Sequence, residues 1–131
     1  MATVAKSGTP SISTTVPCPA HHISGLVAGA AIAAGDLCYI GSAGTVLQSN
    51  GTSTGAAAKC DGIALQAAAL GEAVSLYNDV NVRYGSGMTP GTRLYVQTTA
   101  GLISDAATTG GTAPIGFVID ATRVRIHGSR Y

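Results

Sequence analysis

The stretch GDLCYIGSAGTVLQ, residues 35–48, is the most informative about the fold, because GTRLYVQTTAGLIS at residues 91–104 repeats its pattern. Each stretch begins with Gly, continues with an apolar run, turns at an Ala-Gly pair and returns with a second apolar run. Short runs of this kind, separated by turn residues, are typical of β-hairpins. We therefore predict one hairpin in each stretch. Gly44 and Gly101 fall at turn positions that need a positive φ, and we expect Val at either position to destabilise the protein to the same extent.

The similarity continues beyond the two hairpins. GIAL at residues 62–65 and AVSL at residues 73–76 have counterparts in GFVI at residues 116–119 and RVRI at residues 123–126. Gly62 follows Gly35 by 27 residues, and Gly116 follows Gly91 by 25. We interpret this pattern as a pseudo-twofold internal repeat of two four-stranded units, with residues 80–84 as the crossover strand between them.

The whole chain from residue 25 onward consists of short β-branched or aromatic runs between turn residues. This pattern predicts an all-β fold, a small β-barrel or sandwich of about nine short strands. The nine predicted strands are residues 37–40, 45–48, 62–65, 73–77, 80–84, 93–96, 102–104, 115–119 and 123–127. Residues 65–70 are rich in Ala, but six residues are too few for an independent helix, so we predict a loop or a single turn. In the last run, Arg123 and Arg125 alternate with apolar residues and should point outward.

Residues 1–24 differ from the rest of the chain. They are rich in Thr, Ser and Pro and show no periodicity, which predicts an extended N-terminal arm and leaves residues 25–131 as the β domain. Ile12, Val16 and Ile23 are apolar residues that the repeat does not use. We expect the arm to lie outside the core, so that its removal would leave the fold intact.

Composition restricts the class of partner. Charged residues make up 10% of the chain and the net charge is +1, against about 25% charged residues in an ordinary soluble domain. Such a chain lacks the strongly basic surface typical of nucleic-acid binding, so we expect no nucleic-acid partner. The first residues do not resemble a signal peptide, and no apolar run is long enough to span a bilayer. We therefore expect a chain that is not exported and has no membrane partner.

One motif is similar to that of a serine hydrolase. GTSTG at residues 51–55 matches the GxSxG nucleophile elbow at Ser53, and Asp105 or Asp120 and then His127 follow in the order of a hydrolase triad. A nucleophile elbow needs a buried strand before the Ser and a helix after it. Polar residues precede this motif, so we interpret it as a loop and expect the protein not to be an enzyme.

A second motif has the spacing of a metal site. Cys18, His21 and His22 could supply thiolate and imidazole ligands, but the sequence offers no second ligand cluster. We interpret this segment as a polar bend and expect no cofactor, no metal and no small-molecule substrate. The chain has three cysteines without a CxxC pair, and we interpret them as reduced thiols, mostly buried as small apolar residues.

The pattern resembles that of the bacteriophage capsid cement, or head decoration, proteins. The resemblance lies in a GDL.Y.G..G.V hairpin, a G..LY....G.I hairpin and a final PIGFVID..RVRI pair, and it covers roughly residues 26–127. The positions that carry it are Gly35, Asp36, Leu37, Tyr39, Gly44, Val46, Gly62, Ala64, Gly71, Val74, Gly91, Leu94, Tyr95, Gly101, Ile103, Pro114, Gly116, Phe117, Val124 and Ile126. The resemblance implies a small β-barrel, commonly a homotrimer, that sits outside an assembled head and stabilises it. It brings no catalytic residue.

We therefore expect a non-enzymatic decoration protein, made in the bacterial cytoplasm, that binds the major capsid protein lattice on the outer surface of the virion. The residues predicted to contact the partner are Ile12, Val16, Pro17, Pro19, Ile23, Arg123, Arg125 and Arg130. The alternative is another virion component, a head fibre base or a tail tube subunit. A small hydrolase, based on Ser53 alone, is a third hypothesis.

Overall fold

The computed structural model describes residues 2–12, 22–52 and 54–129, and these ranges contain no α-helix. Among these residues, no helix is long and apolar enough to cross a membrane. In the described ranges, the 3₁₀ turn Ala56–Ala58 occurs beside eleven short strands. The strands are β1 (Ser11–Ile12), β2 (His22–Val27), β3 (Leu37–Ile40), β4 (Val46–Gln48), β5 (Gly62–Ala64), β6 (Ala73–Tyr77), β7 (Val80–Arg83), β8 (Arg93–Val96), β9 (Ile103–Ser104), β10 (Gly116–Val118) and β11 (Arg123–Ile126). The nine predicted strands are confirmed as β3 to β11, and β1 and β2 are additional.

The strands form two antiparallel sheets. One sheet has five strands in the order β2-β6-β5-β3-β4, and the other has six in the order β1-β7-β11-β10-β8-β9. Both sheets are open, so of the two predicted architectures the protein adopts the sandwich and does not close into a barrel. Strand β7 carries the chain from the first sheet to the second, which is the crossover predicted for residues 80–84.

The order of the strands confirms the internal repeat. The first unit, β6-β5-β3-β4, and the second unit, β11-β10-β8-β9, have the same sequence of neighbours. Their registers also agree at the centre of each unit. Gly62 pairs with Cys38 in the first unit, and Gly116 pairs with Leu94 in the second. The two halves of the chain therefore place equivalent residues at equivalent positions.

The last strand of each unit departs from the predicted alignment. Ala64 pairs with Leu76, whereas its counterpart Val118 pairs with Val124. Leu76 is therefore equivalent to Val124 in space, and not to Ile126 as the sequence pattern indicates. The alternation of strand residues repeats every two positions, so a shift of two leaves the same side chains facing the core.

The buried apolar side chains form two clusters, of which the larger holds the two sheets together. The larger lies between the sheets, and the smaller covers the other face of the five-stranded sheet, where Ala28, Ile32 and Ala68 lie over it. Adjacent residues divide between the clusters, so that Leu37 joins the larger and Cys38 the smaller. The central strands β3 and β5 of the five-stranded sheet therefore have buried residues on both faces. The six-stranded sheet is buried on one face only, as the buried-exposed-buried pattern of β10 shows.

The N-terminal residues contribute to the sheets, which differs from the expectation that residues 1–24 lie outside the core. Thr3 bridges Ser104 at one edge of the six-stranded sheet, and β1 pairs with β7 at the other. Val4 packs against the larger cluster, and β2 pairs with β6. These segments find hydrogen-bond partners at sheet edges, where strands offer unpaired backbone groups. Residues 13–21 lie outside the described residues, and for them the predicted arm stays a prediction.

Gly44 and Gly101 both occupy hairpin turns with positive φ, at +82° and +80°, as predicted. Their surroundings differ. A Cβ at Gly44 would have no atom within 4 Å, whereas a Cβ at Gly101 would lie 2.7 Å from Cγ of Asp36. A side chain at Gly101 must therefore displace a buried carboxylate. Contrary to the expectation from the sequence, substitutions at the two glycines are not equivalent.

Candidate interaction surface

The exposed face of the six-stranded sheet has the chemistry of an interaction surface. Residues of β7, β8, β10 and β11 alternate between the core and this face, as half-buried strands do. We define the basic face as the outward residues Asn81, Arg83, Arg93, Tyr95, Phe117, Arg123 and Arg125. Four of the five arginines of the chain therefore lie on one surface.

A row of side chains crosses four strands at the centre of the basic face. Asn81 is opposite Arg125, Arg125 is opposite Phe117, and Phe117 is opposite Arg93. Arg125 Nη1 donates a hydrogen bond to Asn81 Oδ1 at 3.1 Å, and Phe117 is 45% exposed. Side chains directly opposite one another on antiparallel strands are close neighbours, with Cβ atoms about 4.5–5.5 Å apart. Phe117 is therefore flanked by an arginine on each neighbouring strand.

A second row brings like charges together. Arg83 is directly opposite Arg123, and like charges at such positions repel. Arg123 Nε donates to Asp120 Oδ2 at 2.7 Å. Hydrogen bonds from the Thr122 backbone N–H and from Arg123 lower the pKa of Asp120 to about 2. Asp120 is therefore ionised at neutral pH and paired with one arginine.

The other arginines of the basic face have no acidic partner among the described residues. Within residues 2–12, 22–52 and 54–129, neither Arg83 nor Arg93 nor Arg125 forms a salt bridge. Their charges are held in place by the sheet and face outward beside an exposed ring. The surface is thus positively charged and partly apolar.

The sequence predicted eight contact residues, and two of them, Arg123 and Arg125, lie on the basic face. Ile23 is half-buried and packs against the smaller cluster, and Ile12 lies in β1, which pairs with β7. Four further predicted contact residues lie outside the described residues: Val16, Pro17, Pro19 and Arg130. Contact of any of these residues with a partner stays a prediction.

Sequence reasoning did not assign Arg83, Arg93 and Phe117 to this surface. The alternation in residues 80–84 and 93–96 indicates that Arg83 and Arg93 point away from the core. It does not indicate that they share a surface with Phe117, because that depends on β7 pairing with β11 and on β10 lying between β8 and β11. The alternation within a strand shows which way each side chain points, whereas the order of the strands decides which of these side chains become neighbours.

Asp36, at the start of the first hairpin, is a buried carboxylate surrounded by polar groups. Asp36 is 2% exposed, and its carboxylate accepts hydrogen bonds from Lys6 Nζ at 3.2 Å, Gln48 Nε2 at 2.5 Å and the Ala33 backbone N–H at 2.8 Å. Tyr84 is also fully buried, and its hydroxyl has no hydrogen-bond partner among the described residues. Burial and the nearby Asp36 raise the pKa of Tyr84. The Lys6–Asp36 ion pair fastens the N-terminal segment to the first hairpin, so we assign this cluster a structural role.

Asp105 and His127, two of the candidate triad partners of Ser53, each contact a backbone group. Asp105 Oδ1 accepts a hydrogen bond from the Ala2 backbone N–H at 2.9 Å, and His127 Nδ1 lies 2.7 Å from the Gly128 carbonyl oxygen. Ser53 lies outside the described residues, and its motif falls between β4 and the 3₁₀ turn. In the described part of the chain, no strand leads into an α-helix as a nucleophile elbow requires.

The cysteines and histidines do not gather into a metal site in the part of the chain that is described. No three His, Cys, Asp or Glu side chains there are grouped so that they could hold an ion. His22 stacks on Tyr77 with ring centroids 5.0 Å apart, whereas Cys18 and His21 lie outside the described residues. Cys38 and Cys60 are buried free thiols, as predicted; burial raises the pKa of Cys38 strongly and that of Cys60 to about 12.

No protein-family model matches the sequence, and no curated protein matches it. Its function is therefore inferred from its own residues and their geometry. The strongest feature is the basic face, where an exposed ring lies beside three arginines that have no carboxylate partner among the described residues.

Proposed function

We propose that the protein is a non-enzymatic capsid decoration protein, which binds the outside of an assembled phage head and links neighbouring shell subunits. The observation that carries this proposal is the basic face. Arginine and aromatic residues are enriched where proteins bind one another tightly, and lysine and glutamate are depleted there. A chain with few charges, whose arginines gather around Phe117 on one sheet face, is well suited to binding the surface of another protein.

The resemblance to cement proteins supports the same function and suggests the identity of the partner. The residues that carry it are mainly turn glycines and strand residues. Gly44 and Gly101, two of these glycines, lie in hairpin turns with positive φ. An all-β framework of this kind is what the resemblance implies. The capsid lattice as partner and the outer surface of the virion as location are inferred from the resemblance.

The physical basis of the proposed function is multivalency. A homotrimer would present three copies of the basic face, and contacts that are weak singly bind strongly when an ordered lattice engages several at once. Separate capsid subunits cannot offer that arrangement.

Co-sedimentation with empty head shells tests the proposal. The protein is incubated with shells assembled from the capsid protein of the same phage and, as a matched control, with the same capsid protein as free subunits. We expect the protein to sediment with the shells, to bind free subunits at least about tenfold more weakly, and to raise the temperature at which the shells disrupt. Absence of binding to intact shells would refute the proposal.

The mass of the free protein tests the oligomeric state. Light scattering at micromolar concentration should give about three times the 12.9 kDa of one chain. A mass near 12.9 kDa would contradict the trimer. Rings or tubes formed without shells, visible by electron microscopy, would instead indicate a tail tube subunit.

A further inference from the structure

The basic face has a buried counterpart in the first unit of the repeat. Leu37 pairs with Ile63 in the first unit, as Arg93 pairs with Phe117 in the second. Leu37 and Ile63 are fully buried in the larger cluster, between the two sheets. Arg93 and Phe117 occupy the equivalent positions and are exposed. In the first unit this face packs against the other sheet. In the second unit the equivalent face is exposed, and none of the described residues covers it.

The differences between the two units indicate the chemistry of what covers this face. At the position of Ile63 stands Phe117, which keeps a large apolar side chain at the centre. At the position of Leu37 stands Arg93, whose charge needs an anionic partner when it is buried, because an unpaired buried charge costs several kcal/mol. A partner that packs here must combine an apolar depression with acidic groups around it.

We propose that the basic face docks onto an acidic patch of the partner protein, with Phe117 in an apolar depression and the surrounding arginines paired with carboxylates. This inference rests on the proposed function and names the docking surface and the partner's chemistry. The planar guanidinium group suits carboxylates because it can donate two parallel hydrogen bonds to one of them. A carboxylate placed between Arg83 and Arg123 would also reduce the repulsion between these two positive charges, which lie directly opposite each other on neighbouring strands.

A single-stranded nucleic acid is the other polyanion that such a surface could accept, because bases stack on exposed aromatic rings flanked by arginines. The charge of the chain favours the acidic protein. The net charge is +1, whereas nucleic-acid-binding domains carry a marked excess of cations.

The first experiment measures shell binding by variants of the basic face. Phe117→Ala and Arg93→Gln change exposed side chains, and their unfolding in urea should match that of the wild type. Leu70→Ser, at a 72% exposed loop residue, and Lys59→Gln, in the loop before β5, are matched controls for apolarity and charge. We expect Phe117→Ala to weaken binding at least about 30-fold and Arg93→Gln about tenfold, as for central interface residues, with both controls within about twofold.

The outcomes separate this inference from the proposed function. If wild-type protein binds shells and the Phe117 and Arg93 variants bind equally well, the docking surface assigned here is wrong, while the decoration function stands. If wild-type protein does not bind shells, the decoration function is wrong, and the chemistry of the basic face is decided by a second experiment that needs no shells.

The second experiment follows the arginine Nε–H signals by NMR during titration with poly-L-glutamate or poly(dT) at low salt. We expect poly-L-glutamate to shift the signals of Arg93 and Arg125, and poly(dT) at the same charge concentration to bind no more tightly. Absence of shifts with poly-L-glutamate would overturn the inference. So would binding of poly(dT) more than about tenfold tighter and dependent on Phe117, because stacking of bases would then be the function of the ring.

Discussion

Replacing Gly101 with Ala is expected to destabilise the protein several times more than the same change at Gly44. Both glycines have φ near the left-handed region, at +80° and +82°. An L-residue there costs about 1–2 kcal/mol, and Ala recovers about 0.4–1 kcal/mol because it restricts the unfolded chain. A Cβ at Gly44 meets no neighbour, so the net cost of Gly44→Ala should be about 1 kcal/mol.

At Gly101 a second cost is added. The new Cβ would lie 2.7 Å from Cγ and 2.8 Å from Oδ1 of Asp36, so the carboxylate must move. Asp36 is buried and accepts hydrogen bonds from Lys6 and from the Ala33 backbone N–H. A hydrogen bond to a charged group contributes about 1.5–3 kcal/mol. The total cost of Gly101→Ala should therefore be about 2.5–4 kcal/mol, if one such bond is lost.

Urea unfolding at a fixed protein concentration measures both changes, because oligomerisation makes apparent stability depend on concentration. The same Gly101→Ala change made in an Asp36→Ala background supplies the control, since the carboxylate is then absent. There its cost should fall to about 1 kcal/mol, the value expected from φ alone. Equal costs for Gly44→Ala and Gly101→Ala, or an unchanged cost in the Asp36→Ala background, would refute this reasoning.

Three further predictions concern single side chains. Tyr84→Phe should leave the free energy of unfolding unchanged or raise it, because the Tyr84 hydroxyl is buried without a partner among the described residues; a loss above about 1 kcal/mol in urea would show that the hydroxyl is bonded. In a Cys18→Ser variant, a thiol reagent at pH 8 should label Cys38 and Cys60 only after unfolding, since burial keeps both thiols protonated; rapid labelling of the folded protein would contradict this. The pKa of Asp120 is lowered from 3.8 to about 2 in the folded protein, so its stabilising effect is present above pH 4 and is lost as the pH falls towards 2. The difference in unfolding free energy between wild type and Asp120→Asn should therefore shrink across that range, and a difference independent of pH would disprove the assignment.

Local pattern was enough to predict most of the strands and the repeat. The alternation of apolar and polar residues and the turn glycines act over a few residues, and β3 to β11 follow from them. Strands β1 and β2 were not predicted, because the proline-containing segment around them shows no periodicity. They form because the edges of the two sheets offer unpaired backbone groups, which no pattern within residues 1–24 reveals.

Strands β3 to β11, the two hairpin turns and the outward side of alternating runs such as residues 80–84 and 123–127 follow from the sequence, because these depend on neighbours in the chain. Only the tertiary structure decided that Arg93, Phe117 and Arg125 form one surface. Phe117 lies between the two arginines because β10 pairs with β8 on one side and β11 on the other, a contact between residues far apart in sequence. The sandwich buries residues on both faces of the first unit's central strands and on one face of the second unit, so the side chains of the remaining face stay available to a partner.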